Sequence, residues 1–124
     1  MTKILVAEDE RDIRDLVAFT LRFSGYEVVT VANGQEAVES ALAELPDLIL
    51  MDVRMPIMTG YEACKKMKAD DRIQGIPVVF LSAKGQEAEI RIGLDVGASD
   101  YLLKPFSPME LTERVKDLLA KFGK

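Results

Sequence analysis

The amino-acid sequence predicts an α/β protein, a single domain in which five parallel strands form a doubly wound sheet with five helices on its two faces. Three observations carry that expectation. Short apolar runs rich in Val and Ile take turns with stretches of helical period from one end of the 124-residue chain to the other. The runs are apolar at consecutive positions, the pattern of strands buried on both faces. Strands separated by helices pair in parallel through right-handed crossovers, which gives an open sheet covered on both sides.

Lys3 to Ala7 is the first run, and the helix after it carries Ile13, Leu16, Val17, Thr20 and Leu21 on one stripe. Tyr26 to Val31 is the second strand. Asn33 followed by Glu36 makes a capping pair for the second helix, whose stripe is Ala37, Val38, Ala41, Leu42 and Leu45. Leu48 to Val53 is the third strand, and Tyr61, Cys64 and Met67 mark a third helix by their spacing. Ile76 to Leu81 is the fourth strand. From Ile90 to Val96 the apolar residues alternate strictly, which alone is a strand signal, but a strand there has no crossover partner. Gln86 to Val96 is therefore predicted as the fourth helix, with Ala88, Ile92 and Val96 facing inward. Ile90 and Leu94 then fall on another face as a small, partly exposed apolar patch. Tyr101 to Leu103 is the fifth strand. Ser107-Pro108-Met109-Glu110 is a capping box with proline at the first helical position, and Leu111, Val115, Leu118, Leu119 and Phe122 form the last stripe.

Composition narrows the chemistry. A net charge of -5, with acids and bases interspersed, lacks the basic excess of a nucleic-acid-binding face, so no direct nucleic-acid contact is expected. No apolar run approaches the roughly 18 residues of a membrane span, and the amino terminus lacks a signal-peptide layout. A cytoplasmic protein without a membrane partner is the expectation. One cysteine cannot form an internal disulfide, and Cys64 reads as a packed core thiol. The absence of histidine removes Ser-His-Asp triads, Cys-His pairs and His-ligated metals from consideration. Any chemistry runs on carboxylates, hydroxyls, lysine or backbone.

In open α/β sheets the functional crevice lies beyond the carboxyl ends of the strands. Those ends are Glu8 and Asp9 after the first strand, Asp52 ending the third, Ser82 ending the fourth and Lys104 after the fifth. An acidic pair such as Glu8 and Asp9 is, alone, an ordinary solvated turn. Asp52 is different, because Leu48-Ile49-Leu50-Met51 would hold its carboxylate at the edge of a low-dielectric core. If the first and third strands are neighbours, three carboxylates converge, and at least one pKa should rise. All-oxygen ligation with room for water suits Mg²⁺. Lys104 would serve as a point charge for a phosphoryl oxygen. Ser82, with no histidine to activate it, is a hydrogen-bond donor, and Asp52 is the nucleophile, since a carboxylate can form an aspartyl phosphate without a general base.

The set Glu8-Asp9, Asp52-Val53-Arg54-Met55-Pro56 with Gly60, Ser82-Ala83, and Lys104-Pro105-Phe106 resembles the receiver domain of two-component response regulators, related to the chemotaxis response regulator. The resemblance runs from Lys3 to about Lys121. It implies a flavodoxin-like fold with strand order 2-1-3-4-5, and a receiver over residues 1–124 without an output domain, either standing alone or cut from a longer protein. It implies a signalling domain that assists its own phosphorylation and dephosphorylation, not a metabolic enzyme. Asp52 would accept the phosphoryl group from a phosphohistidine on a sensor histidine kinase or histidine phosphotransfer protein. Asp9, Asp52 and the main-chain carbonyl of Arg54 would ligate Mg²⁺, with Glu8 acting largely through water. Ser82, the Ala83 N–H and Lys104 would bind phosphoryl oxygens, a complement to charge spread over the transferring group. After phosphorylation Ser82 would move toward the phosphate and Tyr101 would rotate inward, altering the face built from the fourth helix, fifth strand and fifth helix. The Lys104-Pro105 peptide would be cis, and Arg54 and Lys84 would tune access of water to the phosphoaspartate.

For a homodimer through that face, Asp100, Glu110, Arg114 and Lys116 fall where the winged-helix transcription-factor branch places charged residues, and Leu94 where it has an apolar contact. Ile90 departs from the branch, standing where a basic residue usually pairs with the acid at the position of Glu110. Three other readings compete. A haloacid-dehalogenase-type Mg²⁺ phosphatase wants a second acid two residues after its nucleophile, where this chain has Arg54. A flavodoxin-like electron carrier wants a phosphate-cradling first loop, where Glu8 and Asp9 would repel the phosphate. A degenerate receiver that acts only as an interaction module is expected to lack the nucleophile or the lysine, and both Asp52 and Lys104 are present.

Overall fold

Strands and helices alternate throughout the computed structural model, which describes residues 1–83 and 87–124. In chain order they are β1 (Lys3–Ala7), α1 (Arg11–Phe23), β2 (Glu27–Val31), α2 (Gly34–Glu44), β3 (Leu48–Asp52), α3 (Gly60–Lys68), β4 (Val78–Ala83), α4 (Glu87–Asp95), β5 (Asp100–Lys104) and α5 (Pro108–Lys121). All strand pairs are parallel and the sheet order is β2-β1-β3-β4-β5, as expected. None of the described helices is long and apolar enough to cross a membrane.

The consecutive apolar runs are explained by two cores, one on each face. Ile4 and Val6, Leu48 and Leu50, Val79 and Leu81, and Leu102 pack with Val17 and Leu21 of α1 and with Leu111, Val115 and Leu118 of α5. Leu5, Ala7, Ile49, Met51, Val78 and Phe80 point the other way, onto Ala37 and Ala41 of α2 and Ala63, Cys64 and Met67 of α3. Successive residues of one strand thus feed different cores, so neither face can be polar.

Helix starts follow their caps. The Asn33 side chain accepts from the Glu36 N–H at 2.9 Å, while Glu36 Oε1 accepts from the Ala32 N–H at 2.9 Å. Ser107 and Glu110 form the expected reciprocal box at the start of α5, with Pro108 in its first turn. A second box, Thr59 with Glu62, opens α3. The Lys104-Pro105 peptide is cis.

Some expectations fail locally. The fourth strand starts at Val78, two residues later than predicted, because Pro77 has no N–H for the ladder. Leu16 and Leu45 are 43% and 60% exposed, not core. Leu45 is already past α2, in the left-handed region at φ 47. The fourth helix is a helix, but its inner stripe is not Ala88-Ile92-Val96. Ala88 is exposed and Ile92 is 46% exposed, while Gly93 is buried and Glu89, Ile90 and Val96 are half-buried. The cause is at Gly93, where a Cβ would lie 2.6 Å from Cδ2 of Phe80. The bare glycine lets the helix backbone rest on that ring, and this fixes the rotation of α4. Leu94 is 47% exposed, as the patch reading required.

Candidate functional site

The ladder decides which side chains meet at the carboxyl edge. Ala7 pairs with Met51, so the residues that follow, Glu8 and Asp52, leave neighbouring strands side by side. Period two sets Glu8 beyond Ile4 and Val6, Asp52 beyond Leu48 and Leu50, and Lys104 beyond Leu102, all on the α1/α5 side. Ser82 follows Val78 and Phe80, which face the opposite core, and its side chain points to α4. Close approach is needed at Gly60, whose N–H donates to the Val53 carbonyl at 2.9 Å and where a Cβ would strike the carbonyl oxygen of Asp52.

Lys104 Nζ donates to Glu8 Oε1 at 2.7 Å and to Asp52 Oδ2 at 3.2 Å. Glu8 is fully buried, and the Lys104 and Asp52 side chains are half-buried. Burial, more than the neighbouring Asp52, pushes the Glu8 carboxyl up to about 7, and Lys104 only partly offsets this. The expected upward shift is present, and its main cause is desolvation, not repulsion between carboxylates. Burial also works against the Lys104 ammonium, but Glu8 and Asp52 outweigh it and hold its pKa above the ordinary lysine value. Asp9 sits exposed at the rim. The Arg14 guanidinium donates to the Glu8 carbonyl at 2.9 Å, bracing the turn that presents both acids.

One ligand oxygen each from Glu8, Asp9 and Asp52 can lie within 4.8 Å of the others. Hard oxygen donors with a deeply buried charge among them fit a small divalent cation such as Mg²⁺, because the ion would supply the countercharge that Lys104 alone does not.

Of the remaining expected site residues, Ala83 ends β4 exposed and opposite Lys104 in the ladder. The Ser82 hydroxyl, buried, donates to Glu89 Oε1 at 3.1 Å, and Arg54 Nε donates to Glu89 Oε2 at 2.9 Å. Glu89 was absent from the sequence reading, since a single acid on an irregular helix stripe carries no local signal. Tyr101 is half-buried, and its carbonyl accepts from Arg114 Nη2 at 2.9 Å. Asp100 is held within the chain by Lys121 at 2.9 Å and Arg114 at 3.6 Å, and Glu110 is engaged by the α5 cap. Ile90 and Leu94 lie on α4 and are not among the clustered acids. Lys84 lies outside the described residues. Cys64 is fully buried, and burial pushes its thiol up to about 11, which suits a packed core residue.

Residues 4–116 match the family model of the response regulator receiver domain. The chain is 43% identical over 119 residues to the alkaline phosphatase synthesis transcriptional regulatory protein PhoP of Bacillus subtilis, covering 96% of this chain and 49% of that protein. It is 42% identical to the phosphate regulon transcriptional regulatory protein PhoB of Pseudomonas aeruginosa, covering 97% of this chain and 52% of that one. The chain thus spans about half the length of these relatives. Among solved structures, the chemotaxis response regulator CheY4 of Vibrio cholerae superposes with a TM-score of 0.90 at 36% identity, covering 96% of this chain and 99% of that one. The receiver domain of the sensor histidine kinase PA1611 of Pseudomonas aeruginosa, solved with magnesium coordinated in its active site cleft, gives 0.87 at 33% identity over 99% of this chain and 98% of that one.

Proposed function

The chain belongs to the family of response regulator receiver domains, and from that membership we propose that Asp52 is the phosphoacceptor of a histidine-to-aspartate phosphorelay. The observation that carries the reading is the Lys104 ammonium suspended between Glu8 and Asp52 at the rim of three clustered carboxylates. The donor would be a phosphohistidine on a histidine kinase or phosphotransfer protein. A carboxylate oxygen of Asp52 forms the new bond to phosphorus. The bond from phosphorus to the imidazole nitrogen breaks, and its electron pair leaves with the imidazole. The product is an acyl phosphate on Asp52.

Glu8, Asp9, Asp52 and the Arg54 carbonyl would hold Mg²⁺, which when bound supplies positive charge to the phosphoryl oxygens. Lys104 is already in reach of the acceptor and gives the phosphoryl group a second cation, leaving Glu8 to do so. Ser82 and the Ala83 N–H complete the donors. Tyr101, on the edge strand β5, would turn inward as Ser82 shifts and so carry the change to the face of α4, β5 and α5. Receiver domains act with histidine kinases and are signalling modules. That this one catalyses its own dephosphorylation is part of the proposal. The phosphatase reading is disfavoured by Arg54, whose side chain is committed to Glu89 and cannot act as an acid. Incubation with Mg²⁺ and acetyl phosphate should add a single phosphoryl group by intact-mass measurement, and Asp52→Asn should abolish it. Labelling that persists in the variant would overturn the assignment.

A further inference from the structure

We propose that Glu89 is a positioning residue that clasps both movable groups of the site, the Ser82 hydroxyl and the Arg54 side chain, away from Asp52 until a phosphoryl group arrives. The inference rests on Asp52 being the phosphoacceptor. Among the described residues each oxygen of the Glu89 carboxylate has one partner, Oε1 taking Ser82 at 3.1 Å and Oε2 taking Arg54 at 2.9 Å. Ser82 is 3% exposed and the Glu89 side chain 14%, so the bond between them is largely shielded from water, whereas the Arg54 side chain is 78% exposed and its ion pair is the weaker arm.

The carboxylate is held in place from its own backbone. The Tyr61 hydroxyl donates to the Glu89 carbonyl at 2.9 Å, and the Tyr61 ring meets Phe80 edge-on at 5.5 Å between centroids. Phe80 in turn supports Gly93, one turn further along α4. Ser82 and Arg54 flank Asp52 from β4 and from the loop after β3, and the Arg54 N–H already lies 3.5 Å from Asp52 Oδ1. A phosphoryl group on Asp52 would offer more negative charge and more acceptor oxygens than one carboxylate, so both donors would transfer to it. Glu89 would then lose two partners together. A half-buried carboxylate without partners is costly, and the first turn of α4 would have to move or hydrate. The clasp therefore opposes phosphoryl binding and joins occupancy of Asp52 to the position of α4.

The test is titration with beryllofluoride, as a phosphoryl mimic, in saturating Mg²⁺. Glu89→Ala should bind about tenfold more tightly than wild type, since it removes one hydrogen bond and one ion pair that compete with the ligand. Glu89→Gln still accepts from Ser82 but has no charge for Arg54, and should tighten binding about threefold. Ala88→Gly loosens the same turn of α4 at an exposed position without touching the clasp, and should leave affinity unchanged. Equal or weaker binding by both Glu89 variants, or equal tightening in Ala88→Gly, overturns the clasp. If Glu89→Ala fails to fold, the near-isosteric Glu89→Gln decides. Wild type that takes up no beryllofluoride overturns the phosphoacceptor reading, and the clasp with it.

Discussion

Glu8 follows a strand in which every side chain from Ile4 to Ala7 is buried, and its carboxyl inherits that environment while Asp9, one residue on, reaches solvent. Its charge is therefore the one most dependent on a counterion. The folded state binds the Glu8 proton more tightly than the unfolded chain does, at about 7 against 4.5. Its contribution to stability is fully present below the unfolded value and is lost as pH rises from there to about 7, by up to ~3 kcal/mol. In the presence of a chelator, urea denaturation at pH 5 and pH 8 should show this loss in wild type and not in Glu8→Gln. Mg²⁺ should recover stability at pH 8 in wild type. Identical pH slopes in the two proteins would remove Glu8 as the cause. From the sequence both acids fall in the turn after the first strand, with nothing local to say that one is buried and the other exposed. Their separation into a buried and an exposed carboxylate depends on how the turn into α1 is braced, by contacts such as Arg14 to the Glu8 carbonyl.

Among the elements, α4 had the weakest pattern, and its rotation sets what the site can touch. Gly93 looks like a flaw in a helix, where glycine costs about 1 kcal/mol against alanine. Here the gain from Gly93→Ala would be outweighed, because the new methyl group meets a Phe80 ring that is 2% exposed and packed on Tyr61. Overpacking of that kind costs roughly 1–3 kcal/mol. Gly93→Ala should therefore lower the melting temperature, and adding Phe80→Leu should recover part of the loss. A stabilised single variant would show that α4 does not rest on the ring as described. By contrast α5, with a full capping box and a regular stripe, was legible in the sequence to its first residue, because both signals are local.

For the whole molecule, the proposed phosphorylation of Asp52 would be read by a partner or by a second copy at the face of α4, β5 and α5. That face carries the exposed Leu94 beside charges already paired within the chain, Asp100 with Lys121 and Arg114. If that face self-associates on activation, wild type with Mg²⁺ and beryllofluoride should sediment as a dimer and Leu94→Asp as a monomer. Wild type that stays monomeric with the mimic bound would exclude this use of the face. The fold class and the gathering of Glu8, Asp9, Asp52, Ser82 and Lys104 at one rim could be read before any coordinates, because a parallel ladder delivers all strand ends to the same edge whatever follows them. The pairings at that rim could not. Whether Lys104 meets Glu8, and whether Ser82 turns to Glu89 or to Asp52, depends on which sheet face each residue leaves and on a helix rotation set by Gly93 against Phe80. Those are long-range packing outcomes, and no local pattern of residues encodes them.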